Sequence, residues 1–373
     1  MTTIKMHAHL GNPCGLFLSN GEVYFADQSN HRVRKILRNG QIVTIAGTGV
    51  EGYNGDEQMA TEAHLNNPTS VVVSSNHFVY ISEQVGNGSS GSGHRIRKIL
   101  RDGTITTIAG TGIQGYNGDN QLAIHAQLCY PSGLFVTDDE EILFADQGNN
   151  RVRKIDRRGV ISTIAGSGYF GYNGDGHMAT ETNLKGPKSV VMMGNDVYFS
   201  DCFNNRIVRV LPNGKIETVC GMKHVDGPSS PMNSCFPFSI AVSKGEIFMT
   251  DRYNHQIRKY NLIDRSSKII AGTDIHGWNG DGLLATDAQL HFPEGIFLDH
   301  SHVYFCDEYN RRIRMIDGEG RIHTIAGTGQ KGYSGDVPFD IKKYPHVGPR
   351  KKQWIKPFVR NYYDVVIKCD ITG

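Results

Sequence analysis

Apolar residues in this chain fall in short runs of four to six, separated by Gly, Asn, Asp and Ser, and no stretch shows the 3.6-residue period of a long helix. One block shows the pattern well. Pro131–Val136 is an apolar run opening on proline, Ile142–Ala145 a second, Val152–Ile155 an alternating third and Val160–Ile164 a fourth, with Arg157-Arg158-Gly159 as the last turn. That order repeats six times. An acidic anchor stands at Asp27, Glu83, Asp146, Asp201, Asp251 and Asp307, each followed by a basic-apolar run such as His31-Arg32-Val33-Arg34-Lys35-Ile36. Anchor spacings of 56, 63, 55, 50 and 56 residues fit four short strands per unit. Units of this kind bury their apolar faces only against neighbours, so the pattern predicts an all-β, six-bladed β-propeller of four-stranded antiparallel blades.

Between units runs a second conserved-looking text: Ile108-Ala109-Gly110-Thr111-Gly112, then Gly115-Tyr116-Asn117-Gly118-Asp119, then Ala123, Ala126, Leu128 and Pro131. Together with Asn149-Asn150-Arg151-Val152-Arg153-Lys154-Ile155 it resembles the NHL-repeat family, in particular the subclass with long Gly-Asp loops seen in bacterial NHL proteins and in the NHL propeller of teneurins. The resemblance covers roughly residues 10 to 336 and implies a six-bladed propeller that binds a partner, usually a protein and sometimes RNA. The propeller is therefore assigned to 1–336 and a basic, proline-containing extension to 337–373.

Two units depart from the rule. Gly221 to Pro237 spans 16 residues where the equivalent connections span 21, and it lacks the Gly-Tyr-Asn-Gly-Asp element, which leaves a gap in the rim of loops. Val85 to Gly93 inserts a Gly/Ser run that has nothing apolar to order it, a mobile flap by expectation. For closure, Thr2-Thr3-Ile4 is a possible lent strand, but Arg321–Ile325 already supplies a sixth outer strand, so the expected ring closes in sequence with a loosely packed N-terminus.

The recurring charges read as structural. Each anchor Asp ends the second strand and an Arg opens the third, so Asp27 with Arg32, Asp146 with Arg151, Asp201 with Arg206 and Asp307 with Arg312 should pair across the turn. Six copies of a catalytic pair would be redundant. The glycine loops match G-x-G-x-x-G, but no helix follows to hold a pyrophosphate. Each Asn-Gly-Asp offers too few oxygens for calcium, and Asp56, Asp119, Asp175, Asp281 and Asp336 are expected to cap the short turn that follows. Tyr53, Tyr116, Tyr172, Trp278 and Tyr333 read as loop anchors.

The residues after the six prolines, Cys14, Thr69, Ser132, Lys188, Phe238 and Glu294, should ring one mouth of the axial channel. With one carboxylate and no His, that ring is too poor in ligands for the axial metal of a propeller lyase or hydrolase, the alternative from another class. Lys188 and Glu294 read as separately solvated. No metal and no cofactor are expected. The same face should carry Phe203, Tyr253 and Tyr309 on hairpin tips, with Trp278, Tyr116 and Tyr172 on its loops, a docking surface for a protein partner.

Formal net charge is +2, but residues 337–373 hold eight Lys or Arg against three Asp, leaving the rest at −3. With its aromatics, the extension reads as packing on the ring or docking a partner, and contact with nucleic acid or anionic lipid ranks behind both. Seven cysteines without C-x-x-C spacing, no signal-peptide core and no apolar run of ~18 residues point to a reduced, cytoplasmic monomer without a membrane span.

Overall fold

The computed structural model describes residues 8–86, 92–221 and 235–337; the centre of the Gly/Ser flap, the Thr2–Ile4 strand and the extension lie outside the described residues. Six antiparallel sheets follow one another in the chain, each ordered from an inner strand to an outer one. The inner strands are Pro13–Ser19, Pro68–Val73, Pro131–Val136, Pro187–Met193, Pro237–Ser243 and Pro293–Asp299. The outer strands are Ile42–Ala46, Thr104–Ala109, Val160–Ala165, Ile216–Cys220, Ser267–Ala271 and Ile322–Ala326. Blades 2 and 3 gain a fifth, two-residue strand from the preceding loop, at Gln58–Met59 and Gln121–Leu122. Among the described residues the only helical turns are 3-10 turns, and no helix is long and apolar enough to cross a membrane.

Each inner strand opens on proline, which needs no ladder partner for an N–H it lacks, and its register slips immediately afterwards. The slip turns Gly15, Ser70, Gly133, Ser189, Ser239 and Gly295 toward the axis. Space there is tight. A Cβ on Gly133, whose φ is +47°, would meet the Lys188 carbonyl oxygen at 2.2 Å and Ser189 Cα at 2.6 Å. Apolar clusters sit between adjacent blades instead of within them: Val72, Ile96, Leu134, Phe144, Ile155 and Ile161 join blades 2 and 3. At ~1.5–3 kcal/mol for each buried large side chain, these layers bind the ring together.

The Gly-Asp loops belong to the next blade. Asp56 accepts from Arg97 at 2.9 Å, Asp119 from Arg153 at 2.7 Å and Asp175 from Arg206 at 3.0 Å, while Asp281 meets Arg314 and Asp336 meets Arg34 of blade 1. The expected capping role is therefore replaced: the 3-10 turns after these loops have no side-chain cap. A fully buried guanidinium needs compensation more than an exposed turn needs a cap.

Asp336 on Arg34 also closes the ring, across 302 residues of sequence. The N-terminus is not loose where it is described: Ala8 and Leu10 are fully buried. Thr328 N–H donates to Ala8 O (3.1 Å) and Gly332 N–H to Leu10 O (3.3 Å), copying Thr48 to Ala63 (3.0 Å) and Gly52 to Leu65 (3.3 Å). Residues 8–12 are thus the second half of the sixth loop, so the first and last described segments meet inside a loop instead of inside a blade.

Candidate functional site at the loop-side mouth

The anchor carboxylates are wholly buried, and the expected pairing is corrected by one strand step. Asp27 and Arg32, Asp146 and Arg151, and Asp307 and Arg312 stand opposite in register, but the ion pairs are Asp27–Arg34, Asp146–Arg153 and Asp307–Arg314, each at 3.1 Å. The two arginines share a face. The inner one reaches diagonally into the dry interior, where the arriving loop adds a second carboxylate. The outer one lies at the strand end, where it donates to backbone carbonyls, as Arg151 does to Asn149 and Ser167. It also stacks on the loop aromatic: Arg151 on Tyr116 at 3.8 Å and Arg312 on Trp278 at 4.1 Å. Only blade 4 keeps the expected pair, Asp201–Arg206 at 2.8 Å, because Val208 takes the inner position. Tyr172 stacks there at 4.6 Å. Burial pushes Asp146 up to about 6 against the pull of Arg153.

Tyr116, Tyr172 and Trp278 are thus committed to arginine stacks on the loops. Phe203, Tyr253 and Tyr309 form the other group, on the turns between second and third strands, each more than 40% exposed. They fall in one arc of the mouth. The residue just before each of them, after the anchor, is Gln28, Gln84 and Gln147 in blades 1–3 but Cys202, Arg252 and Glu308 in blades 4–6. The tips themselves run Ser29, Val85, Gly148, then Phe203, Tyr253, Tyr309, and the axial ring runs Cys14, Thr69, Ser132, then Lys188, Phe238, Glu294. At these three positions one half of the ring is small or neutral and the other half, Cys202 excepted, aromatic or charged.

In that second half the side chains interlock. Arg252 pairs with Glu308, which also accepts from Asn12 Nδ2 at 3.1 Å. Arg252 lies over Phe238 at 4.8 Å and Phe292 at 4.9 Å, while Lys188 Nζ lies over Phe238 at 4.7 Å, so one ring serves two cations. Lys188 and Glu294 meet at 3.7 Å, nearly buried, instead of standing apart in solvent. Burial first, and then the Glu294 charge, push the Glu308 carboxyl up to about 7, with Arg252 and Asn12 opposing. An aromatic sheet continues outward, with Tyr253 against Phe236 (5.1 Å) and Phe292 (5.7 Å) and Tyr309 against Phe292 (5.0 Å) and His291 (5.2 Å).

Glu308 and Arg252 were not among the residues singled out from the sequence, although the break from Gln at that position was there to be read. The mouth holds two carboxylates, not one. Thiols contribute little: burial raises Cys14 well above its ordinary range and Cys202 to about 12, the reverse of a reactive cysteine. Among the described residues no three His, Cys, Asp or Glu are arranged to hold a metal ion. Below the mouth a pocket of about 40 Å³ reaches the ring of small residues; beyond that ring, on the opposite face, lies an apolar well of about 300 Å³.

Fold and mouth define a six-bladed β-propeller with its distinctive chemistry on one side of the axis. The family model of the teneurin NHL domain matches residues 171–354. Curated relatives include NHL repeat-containing protein 2 of Gallus gallus, 24% identical with 82% of this chain covered, and Teneurin-m of Drosophila melanogaster, 26% identical over 55% of it. Protein SUPPRESSOR OF QUENCHING 1 of Arabidopsis thaliana is 26% identical over 79%. The chain is an NHL-repeat propeller. It spans 46%, 8% and 24% of those relatives' own lengths, respectively. Among solved structures, a streptogramin B lyase superposes with a TM-score of 0.52 at 16% identity, covering 88% of this chain and 84% of that one. An auxiliary nutrient binding protein from Bacteroides thetaiotaomicron gives 0.56 at 16%, covering 85% and 70%. At such identities these two share the fold alone.

Proposed function

We propose that this propeller is a non-catalytic binding module that engages a protein partner through the loop-side mouth of blades 4–6. The observation that carries the reading is the concentration of Lys188, Phe238, Glu294, Arg252 and Glu308, rimmed by Phe203, Tyr253 and Tyr309, in one half of a ring whose other half is neutral and small. Rigid aromatic tips around a partly desolvated arginine have the composition of interface hot spots. The reading is tested by cross-linking mass spectrometry of the full chain expressed in cells. A partner cross-linked beside Tyr253 and Tyr309 should be lost from Tyr253→Ala/Tyr309→Ala and kept by Ser29→Ala/Gln147→Ala. Equal loss from both variants would refute it.

One observation favours a second reading, an axial lyase or hydrolase: Glu308, near neutrality beside Glu294, is poised to exchange a proton at a pocket. A stoichiometric divalent ion that survives dialysis would favour it, as would turnover abolished by Glu308→Gln. We also take the module to work in a reducing, cytoplasmic compartment, a reading supported by six buried cysteines, none in a disulfide.

A further inference from the structure

On the third strand of blades 1–5 a base stands opposite the second strand, and in four of those blades a carboxylate two residues before the facing position holds it. Glu22 meets Lys35 at 3.0 Å, Glu141 meets Lys154 at 3.1 Å, Asp196 meets Arg209 at 2.5 Å and Glu246 meets Lys259 at 2.7 Å. Blade 6 drops both members, with His302 and Met315 at the two positions. Blade 2 drops only the acid. Lys98 lies opposite Tyr80 as Lys35 lies opposite Tyr24, but the place of the carboxylate is filled by Phe78.

Lys98 therefore has an aromatic ring where the other bases have a counter-ion. Its Nζ lies over Phe78 at 3.7 Å and over Tyr80 at 5.2 Å. Glu140, which reaches this wall from blade 3, is held by neutral donors: the Tyr80 hydroxyl donates to its Oε2 at 2.5 Å and Asn76 Nδ2 to its Oε1 at 2.8 Å. A ring positions a cation but carries no full charge to keep the proton on it. Burial accordingly pushes the Lys98 amine below its ordinary value, with Glu140 opposing. The amine also borders open space. A cleft of about 510 Å³ between blades 2 and 3, at the end of the ring away from the mouth, is lined by Phe78, Tyr80 and Lys98 and by Ile108, Ile142 and Ile155. Two carboxylates at this cleft, Asp139 and Asp156, are paired with Arg157 and Arg158.

We propose that Lys98 is a covalent capture site for neutral apolar aldehydes, which enter this cleft and form an imine with Nζ. The site is separate from the mouth of blades 4–6 and does not rest on the partner-binding reading. Nζ adds to the carbonyl carbon to form the C–N bond, and the carbonyl oxygen leaves as water with the two hydrogens of the neutral amine, so no oxidant, reductant or further reactant is required. A partly desolvated lysine in apolar surroundings is the form of that side chain that acts as a nucleophile. The isoleucines take an apolar body, while Asp138, Asp139 and Glu140 repel an anionic one. In blades 3 and 5 the same step is suppressed, because Glu141 and Glu246 hold Lys154 and Lys259 as ammonium ions.

The test treats the full chain with benzaldehyde and cyanoborohydride and reads benzylated lysines by peptide mass spectrometry at low conversion. Lys154 and Lys259 are internal controls, half-buried like Lys98 and at the same strand position, so a difference in rate reports the pairing and not the exposure. At about pH 7.5, Lys98 should react about fivefold faster than either control. Phe78→Glu places a carboxylate where blades 1, 3 and 5 already carry one and should bring Lys98 down to the rate of Lys154, with a melting curve to show that the ring is intact. Glyoxylate, an anionic aldehyde, should show no preference for Lys98. Three results would overturn the proposal: equal labelling of the three lysines in the wild type, an advantage of Lys98 that survives in Phe78→Glu, or the same advantage with glyoxylate as with benzaldehyde.

Discussion

Blades 1–3 and blades 4–6 are built by the same rules up to the strand ends and then diverge. In the first half the mouth positions are Cys14, Thr69 and Ser132 with Gln28, Gln84 and Gln147 behind them, and the charges lie deep, in pairs such as Asp146–Arg153 that no solvent reaches. In the second half charges come to the mouth, as Arg252–Glu308 and Lys188–Glu294, under exposed aromatics. The contrast separates charges that hold the ring from charges positioned to meet something else. A buried pair at each blade is a scaffold device, whereas a charged cluster at one side of one mouth is not needed by the fold.

The largest effect should come from breaking the scaffold half. Asp146→Ala takes one of its two carboxylates from the fully buried Arg153, leaving Nη1 as well as Nε without a partner while Nη2 keeps Asp119, and should cost about 3 kcal/mol in urea unfolding. Arg252→Met, at the mouth, should cost ~1–2 kcal/mol, since its side chain keeps some solvent contact and apolar packing on Phe238 survives. If the two costs are equal, the distinction between the halves fails.

Next comes pH, with opposite signs in the two halves. Glu308 sits at about 7 in the fold against 4.5 in the open chain, so its protonated form is favoured by folding; that stability is present below about pH 4.5 and is lost as pH rises through 7. The melting temperature of Glu308→Gln should therefore fall less than that of the wild type between pH 5 and 8. His94 behaves inversely. Its Nδ1 accepts the Tyr130 N–H at 3.1 Å across the junction of blades 2 and 3, and burial lowers its pKa to about 4 from 6.5. Its contribution is present above pH 6.5 and is lost on acidification toward 4, about 1–2 kcal/mol after solvent screening. Asn150 makes the same bond to Gly186 at 3.1 Å, so His94→Asn should keep the fold and remove this acid sensitivity in a melting series from pH 7 to 4. The smallest effect on stability belongs to Tyr253→Ala, a tip nearly half exposed: no more than ~1 kcal/mol in unfolding, with partner binding weakened at least tenfold.

Much of this was legible residue by residue. The six anchors, the proline at each inner strand and the turn residues specify local structure through propensity and period, and the exposed tips Phe203, Tyr253 and Tyr309 follow from turn position alone. The Asp–Arg pairing was not legible: Arg32 and Arg34 share a face, and what selects Arg34 is Asp336, 302 residues away. Glu308 was missed for a related reason, since its significance depends on Arg252 of the preceding blade and Asn12 of the following one.

By itself, the order of apolar and turn residues determined that this chain makes six like sheets around an axis, because short-range sterics and face burial act within a few residues. Which carboxylate meets which guanidinium and which loop the segment 8–12 completes were decided only when the ring closed. These depend on desolvation and on contacts between blades, and neither exists until neighbours are in place.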